Sequence, residues 1–483
     1  MIQIRKILLV LGILLAVESI FLALSGIIAV IYKGNDIFSL FLVTAISLIL
    51  GISLFLFSRK TKREISKKES YLIVALSWIV LSAVGALPFV FHGCIPSYTD
   101  AFFETVSGFT TTGATILNDI ESVPHGLLFW RSITQWMGGM GIIVLSIAVF
   151  PLIKVGGFQL FVAEVPGVTY DKLHPRIKGT AKRLWLIYIG LTAAEIILLT
   201  LGGMTLYDAV NHSFTTMATG GYSTKQASIA FYNSPFIQYV IIFFMFLAGV
   251  NFSLIFYAFK GQFRKLIRNN EFRFYTLITI VSAVFVALGL MFYMNLPFEK
   301  AVRDALFQVV SIITTTGFIT ADYMLWVPPY LWVIIFLLMF VGGSSGSTGG
   351  GIKAVRIHLI LRNSYLELKR LIHPNAVIPV RYNGQSVSSG IITNVMAFVI
   401  IYFIIFGAGT IILAINGLDL DSAMGASATC LGNIGPGINQ LGPAYTFSFL
   451  NDISKWTLSA LMLLGRLELF TILIIFTPVF WKK

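Results

Sequence analysis

Charge and cysteine are both scarce in this 483-residue sequence. Charged residues make up 11% of it, against about a quarter in soluble domains, which excludes a water-soluble core of this size. With only Cys94 and Cys430 present, a disulfide framework is excluded and cysteine offers little for a metal site. The six histidines (92, 125, 174, 212, 358 and 373) show no metal-ligand spacing, and no acid/base pair or nucleophile motif points to an enzyme. Acidic residues are the minority, 21 against 34 basic, for a net charge of +13. In a soluble chain that excess would imply nucleic acid. In a chain that is 57% hydrophobic it is read as basic loops facing anionic lipid, so nucleic acid is not an expected partner.

Apolar runs, by contrast, abound. A spanning helix needs about 20 apolar residues. Ten such runs lie near 7–31, 38–57, 71–91, 127–150, 184–204, 236–259, 274–294, 330–361 (interrupted), 391–415 and 456–481. The first is too long for a signal-peptide core and lacks a following cleavage site, so it is expected to stay. With the N-terminus inside, the cytoplasmic segments carry 27 Lys and Arg residues. The outer loops carry six: Lys33, Arg131, Lys225, Lys300, Arg303 and Lys455. This asymmetry predicts that both termini are cytoplasmic. No segment is long enough for a separate soluble domain, although 151–183 is a candidate for the interface.

Between alternate spans, on the predicted outer side, lie four segments too short and polar to cross. They run Asp100 to Gly113, Asp208 to Gly221, Asp304 to Gly317 and Asp419 to Gly432, with 13 positions from Asp to Gly in each. Recurrence at this period means four copies of one helix, re-entrant segment, helix unit. Asp is a favoured N-cap and complements the helix dipole, so a short helix is expected to start there. About ten residues rise roughly 15 Å, half the hydrocarbon thickness, so each helix stops in mid-membrane with bare carbonyls facing inward. The following Thr-x-Gly supplies backbone able to face a narrow axis. Four such segments around one axis form a ring of carbonyl oxygens that replaces the hydration shell of a monovalent cation. A single copy reads more readily as loop punctuation; four in register reverse that preference.

The expected filter residues are Thr111, Thr112 and Gly113; Thr219, Gly220 and Gly221; Thr315, Thr316 and Gly317; and Cys430, Leu431, Gly432 and Asn433. With Gly342–Lys353, Leu431–Gly437 and Gly465-Arg-Leu-Glu468, they carry a resemblance over the whole chain to the Trk/Ktr/HKT potassium transporters. The two leading spans resemble the bacterial TrkH-type subunits in particular. The resemblance implies an all-α polytopic membrane protein: two leading helices and four pseudo-symmetric helix–pore loop–helix repeats, ten spans in total. The repeat boundaries are expected at 1–69, 70–183, 184–272, 273–385 and 386–483. It further implies filter glycines that select potassium as the transported ion, with no organic cofactor on this chain. In that family a sodium-favouring plant subgroup has Ser at the first filter glycine; this sequence has Gly113, and it departs from the pattern at Cys430-Leu431. A homodimer in a bacterial inner membrane and a cytosolic nucleotide-binding TrkA-type ring are also implied. The sequence leaves lipid as an alternative occupant of the basic cytoplasmic face.

The eighth run is apolar only from Tyr330 to Val341, too short to cross, and six of residues 342–351 are glycine: Gly342, Gly343, Gly346, Gly349, Gly350 and Gly351. Such a stretch unwinds the helix at mid-depth, beneath the expected filter. The resemblance makes it an intramembrane gate; a passive kink is the alternative. A phosphate-binding loop is disfavoured, because Lys353 follows the last glycine by two positions and Ala354 stands where Ser or Thr belongs. Arg466 falls near the centre of the last span, where an unpaired charge costs at least about 2.5 kcal/mol, so it is expected to face the bundle or water. Two placements stay open: an ion pair with Glu195, or, as the resemblance implies, projection below the filter as a barrier to cations. Glu468, two residues on, points elsewhere on the helix. Trp130, Trp136, Trp326, Trp332 and Trp481 lie near span ends as interfacial anchors. Passive potassium flow leads over ion-coupled symport through Glu195 or Glu468, and over a non-transporting scaffold or enzyme.

Overall fold

The structure, a computed structural model, describes residues 2–59, 65–141 and 177–482, the side chains of 177–181 excepted. The leading pair is α1 (Ile4–Ile31) and α2 (Ile37–Ser58). They cross closely: a Cβ on Gly12 would meet the Gly51 carbonyl at 2.8 Å, and one on Gly51 the Gly12 carbonyl at 2.8 Å. Where lipid supplies no hydrophobic drive, small residues at a crossing let backbones approach and gain packing.

The rest of the chain repeats a motif of long helix, half-length helix, extended segment and broken helix. The first copy comprises α3 (Lys67–Gly85) with α4 (Leu87–His92), α5 (Tyr98–Phe109) and α6 (His125–Gly139). The second comprises α7 (Ile177–Leu201), α8 (Leu206–Met217), α9 (Pro235–Ala248), α10 (Phe252–Phe259) and α11 (Phe263–Arg268). The third comprises α12 (Asn270–Met294), α13 (Phe298–Ile313), α14 (Tyr330–Leu338) and α15 (Ala354–Ile372). The fourth comprises α16 (Ser389–Ile415), α17 (Leu420–Gly432), α18 (Asp452–Arg466), α19 (Phe470–Leu473) and α20 (Pro478–Trp481). The sequence reading had no hairpin, but β1 (Arg381–Tyr382) pairs with β2 (Gln385–Ser386). Asn383 and Gly384, both at positive φ, make the turn, as two-residue hairpins require.

Among the described residues six helices are long and apolar enough to cross a membrane, and two bent pairs bring the number to eight. Of the ten expected runs, 127–150 leaves the described residues after 141, and 330–361 is divided between α14 and α15. The expected interfacial stretch 151–183 lies outside the described residues up to 176. Large apolar side chains such as Phe38, Leu201, Phe292 and Ile415 stand on the surface, as a lipid-facing exterior requires. Inside, one apolar cluster joins the leading pair to the first and fourth repeats, and a second joins the second and third.

Several expectations are corrected by burial. Arg131, counted with the outer loops, is buried in α6. Trp130 is fully buried and donates its indole N–H to the Gly85 carbonyl at 2.9 Å, and Trp326 is buried too. A ring with no exposed surface does not reach the headgroups, so Trp130 is no interfacial anchor.

Candidate functional site

The four half-length helices, α5, α8, α13 and α17, end in the same way. The amides of Thr112, Gly220, Thr316 and Ile434 bond back to the carbonyls of Ser107 (2.9 Å), Thr215 (2.8 Å), Ser311 (2.8 Å) and Thr429 (3.0 Å). The preceding amides, of Thr111, Thr219, Thr315 and Asn433, bond to the carbonyls of Gly108, Thr216, Ile312 and Cys430. This doubled pattern is the Schellman termination, which requires a left-handed residue just past the helix. Here those residues are Thr111 (φ 54°), Thr219 (φ 54°), Thr315 (φ 60°) and Asn433 (φ 55°). A β-branched residue disfavours this region, so three threonines in it mark strain held by the surrounding fold. Two positions on come Gly113, Gly221, Gly317 and Gly435, again at positive φ.

The fourth segment is therefore shifted by three residues from the register expected. Gly432 ends helix α17, Cys430 and Leu431 are buried in its last turn, and Asn433-Ile434-Gly435 stands where Thr-x-Gly stands elsewhere. The reason lies at the other end of the helices. Ser97 and Thr205 cap α5 and α8, accepting from the amides of Asp100 and Asp208, so these two aspartates are third residues and not caps. Asp304 lies inside α13. Asp419 alone is itself the cap, accepting from the Ser422 amide at 3.0 Å. Measured from the cap, Ser97 to Gly113, Thr205 to Gly221 and Asp419 to Gly435 are all 16 positions.

These segments close a ring. A Cβ on Gly113 would lie 2.1 Å from the Gly220 carbonyl, one on Gly221 2.0 Å from that of Thr316, one on Gly317 2.0 Å from that of Ile434, and one on Gly435 2.8 Å from that of Thr112. Each glycine thus abuts the main-chain oxygen of the next repeat, and the fourth returns to the first. No side chain fits at these positions without moving that oxygen. Behind the ring, Gln135 donates to the Gly220 carbonyl at 2.7 Å and accepts from the Tyr222 amide at 3.1 Å. Ser311 holds the Phe318 carbonyl at 2.7 Å, and Asn433 donates to Thr112 Oγ1 at 3.0 Å.

On one side the ring opens into a mouth of about 80 Å³ lined by the four glycines, Lys225, Tyr222 and Tyr445 among others. Beside it, at the start of α8, Asp208 accepts from Thr224 Oγ1 at 2.6 Å and Thr205 Oγ1 at 2.9 Å. Burial pushes its carboxyl up, but these hydrogen bonds with nearby His212 and Lys225 outweigh it and hold the group below the usual carboxylate value. His212 is buried, bonded to the Asp208 carbonyl and to Ser223 Oγ at 2.9 Å.

On the other side the glycine-rich stretch covers the base. Thr348 Oγ1 donates to the carbonyl of Met217, the last residue of α8, at 3.0 Å, and the Gly350 amide donates to Thr315 Oγ1 at 2.7 Å. A Cβ on Gly349 would come within 2.8 Å of the Thr314 carbonyl, and one on Gly350 within 2.4 Å of that of Gly432. Gly342, Gly346 and Gly351 are at positive φ, and Gly343 packs on Gly249. The stretch is anchored elsewhere by Ser344, whose amide bonds the Gly249 carbonyl, and by Ser345, whose amide bonds Glu271 Oε1 at 2.5 Å. Lys353, itself at positive φ, turns its ammonium back onto the Gly349 carbonyl.

Arg466 completes this base. Its Nη1 donates to the Thr348 carbonyl at 2.7 Å, and its Nη2 donates to the carbonyls of Gly139, at 3.1 Å, and Gly138. Gly138 itself sits against the Phe109 carbonyl at the end of α5. The ion pair with Glu195 entertained from the sequence is not formed. Glu468 pairs instead with Arg356 at the start of α15. Two of the helices that follow a ring segment are bent at a break, α9 and α10 meeting at 108° and α18 breaking after Arg466 by 107°, while α14 stops at Leu338 and α6 ends at Gly139.

The structure thus brings together Thr111 to Gly113, Thr219 to Gly221, Thr315 to Gly317, Asn433 and the glycine-rich stretch with Arg466. It leaves Cys430 and Leu431 in a helix. Gly435 and Ile434 were missed; the signal was Asn433, the commonest residue after glycine at a helix-ending left-handed position, with a glycine two places on.

The family model for TrkH, described as a cation transport protein, matches residues 37–483. The chain is 41% identical over 483 residues to the Trk system potassium uptake protein TrkH of Escherichia coli K12, covering 99% of each. To the protein of that name from Vibrio parahaemolyticus it is 39% identical, covering both chains in full. The crystal structure of the potassium transporter TrkH from Vibrio parahaemolyticus superimposes over the whole of both chains with a TM-score of 0.90 at 37% identity. With a family match over nearly the whole length, 41% identity to a relative along the chain and a shared fold, the chain belongs to the TrkH family of cation transport proteins.

Proposed function

We propose that this chain conducts potassium passively across a bacterial inner membrane, through a single-chain pore whose filter is the four-segment carbonyl ring. The observation that carries the reading is the closed cycle in which each ring glycine abuts the next repeat's main-chain oxygen. Oxygens held at a fixed spacing replace water around a dehydrated monovalent cation. The names of the relatives supply the ion. Membrane potential drives the flow, each 100 mV being worth about 2.3 kcal/mol per charge.

In this reading the glycine-rich stretch 342–351 is the gate, closed where it covers the carbonyl ends of α8, α13 and α17, with Arg466 as its latch and as a positive barrier to cations. Passive flow is preferred to symport because Glu468, one suspected coupling site, is occupied by Arg356. The same reading assigns a homodimer, both termini in the cytoplasm, and a TrkA-type nucleotide-binding ring acting on the basic cytoplasmic face. The test is rubidium uptake into proteoliposomes holding the purified chain, with and without an imposed potential. Uptake that follows the potential and is competed by potassium over sodium is expected. Uptake no greater than in empty vesicles, or none without a proton or sodium gradient, would overturn the proposal.

A further inference from the structure

We infer that the buried pair Glu104–Arg131 sets the cation preference of the pore by locking the mouth ends of the first two ring segments at one spacing. This rests on reading the ring as the filter. Both residues are almost wholly buried, and Arg131 Nε donates to Glu104 Oε1 at 2.6 Å. Each partner then takes hold of a different segment. Glu104 accepts from Thr115 Oγ1 at 3.0 Å and from the Ile116 amide at 2.9 Å. Arg131 Nη1 donates to the Ser223 carbonyl at 3.1 Å, and its guanidinium lies 3.5 Å from the Tyr222 ring centroid. The Tyr222 hydroxyl returns to the Glu104 carbonyl at 2.7 Å, closing the bridge.

The contacts are matched in register. Thr115 is two residues past Gly113, and Ser223 is two residues past Gly221. The pair therefore spans the seam between the segments at equivalent points. Counting nine positions back from each ring glycine gives Glu104, His212, Gln308 and Ala426. His212 bonds Ser223 Oγ at 2.9 Å and Gln308 donates to the Ala321 carbonyl at 3.1 Å, so three repeats brace their own outgoing strand from one helix position. Only the first brace is a carboxylate, and only it is joined to a neighbouring strand through a cation. Charge-assisted bonds in a low-dielectric interior resist displacement more than neutral ones, so this brace yields less readily than the neutral braces at the equivalent positions. Discrimination between cations of different radius depends on how firmly the oxygens hold their field and spacing.

The test uses the purified full-length chain in proteoliposomes, reading rubidium uptake against competing potassium and sodium. Glu104→Gln keeps the volume and removes the charge. It and Arg131→Gln are each expected to lower the preference for potassium over sodium on the order of tenfold, as loss of a charged hydrogen bond does. The double variant is expected to lose no more than either single one, because both act through one pair. Arg131→Lys, which keeps the charge but lacks the reach to serve both Glu104 and the Ser223 carbonyl, is expected to lose less. Uptake with unaltered preference in Glu104→Gln overturns the inference, as do fully additive losses. If Glu104→Gln does not fold, Arg131→Lys decides: unaltered preference overturns. Gly113→Ser serves as the control for the underlying reading. A shift there without one in the pair variants sinks only the present inference, whereas no shift in Gly113→Ser sinks the filter itself.

Discussion

Arg466 donates to the main-chain oxygen of Thr348 at 2.7 Å, so the residue at which the last helix breaks holds the middle of the glycine-rich stretch. The same guanidinium grips the end of α6 through Gly139, which ties the ends of α6 and α18 to the glycine-rich stretch at one point. Uncoiling at Glu468 and Leu469, both at positive φ, keeps the arginine at the end of its helix. A cation is suited to that place, because it meets the carbonyls at the negative end of α6.

Arg466→Ala is expected to raise flux. Removing bonds worth about 1.5–3 kcal/mol each to a charged donor frees the stretch and lowers the positive barrier. The initial rate of rubidium uptake in proteoliposomes is expected to rise at least about tenfold if one such bond limits opening. A rate equal to or below that of the parent chain would remove Arg466 from the gate.

Gly350→Ala tests the stretch from its other face. The added methyl would lie 2.4 Å from the Gly432 carbonyl, so the loop has to lift from the base of α17. Uptake is expected to change in the same direction as for Arg466→Ala, and falling uptake would show that the stretch supports the pore and does not close it.

The fourth register is testable by paired substitutions. Gly435→Ala places a methyl 2.8 Å from the Thr112 carbonyl at a φ of 105° and is expected to shift cation preference. Cys430→Ala, inside α17, is expected to leave that preference unchanged at a stability loss of about 1 kcal/mol. The opposite ranking in a potassium and sodium competition series would restore the register expected from the aspartate spacing.

Asp208 gives a pH dependence. Its carboxyl is held below the ordinary value of about 3.9, so its contribution to stability is complete above that value and is lost as pH falls through the lower folded value. Thermal midpoints of the detergent-solubilised protein are expected to fall below about pH 4 less steeply in Asp208→Asn than in the parent. Parallel curves would show that Asp208 is not held by Thr224 and Thr205.

Much of the architecture was written in local pattern. The apolar runs at 38–57, 274–294 and 391–415 became α2, α12 and α16 with ends displaced by a few residues, because length and hydrophobicity alone make a span. Three Thr-x-Gly segments and the six glycines of 342–351 were equally plain, since a left-handed or side-chain-free backbone needs particular residue types wherever it occurs. The fourth segment misled because one residue type serves two roles: aspartate is a cap at 419 but a third-position residue at 100 and 208, and spacing cannot tell these apart.

Composition and periodicity were enough for a membrane-embedded, predominantly helical chain of four related units, because burial in lipid and the reach of a helix are properties of short stretches. Which glycine faces which oxygen, that Arg131 serves Glu104, and that Arg466 takes carbonyls and not Glu195 are contacts between residues tens to hundreds of positions apart. Such contacts depend on how the units pack around their common axis, and no local preference encodes that packing.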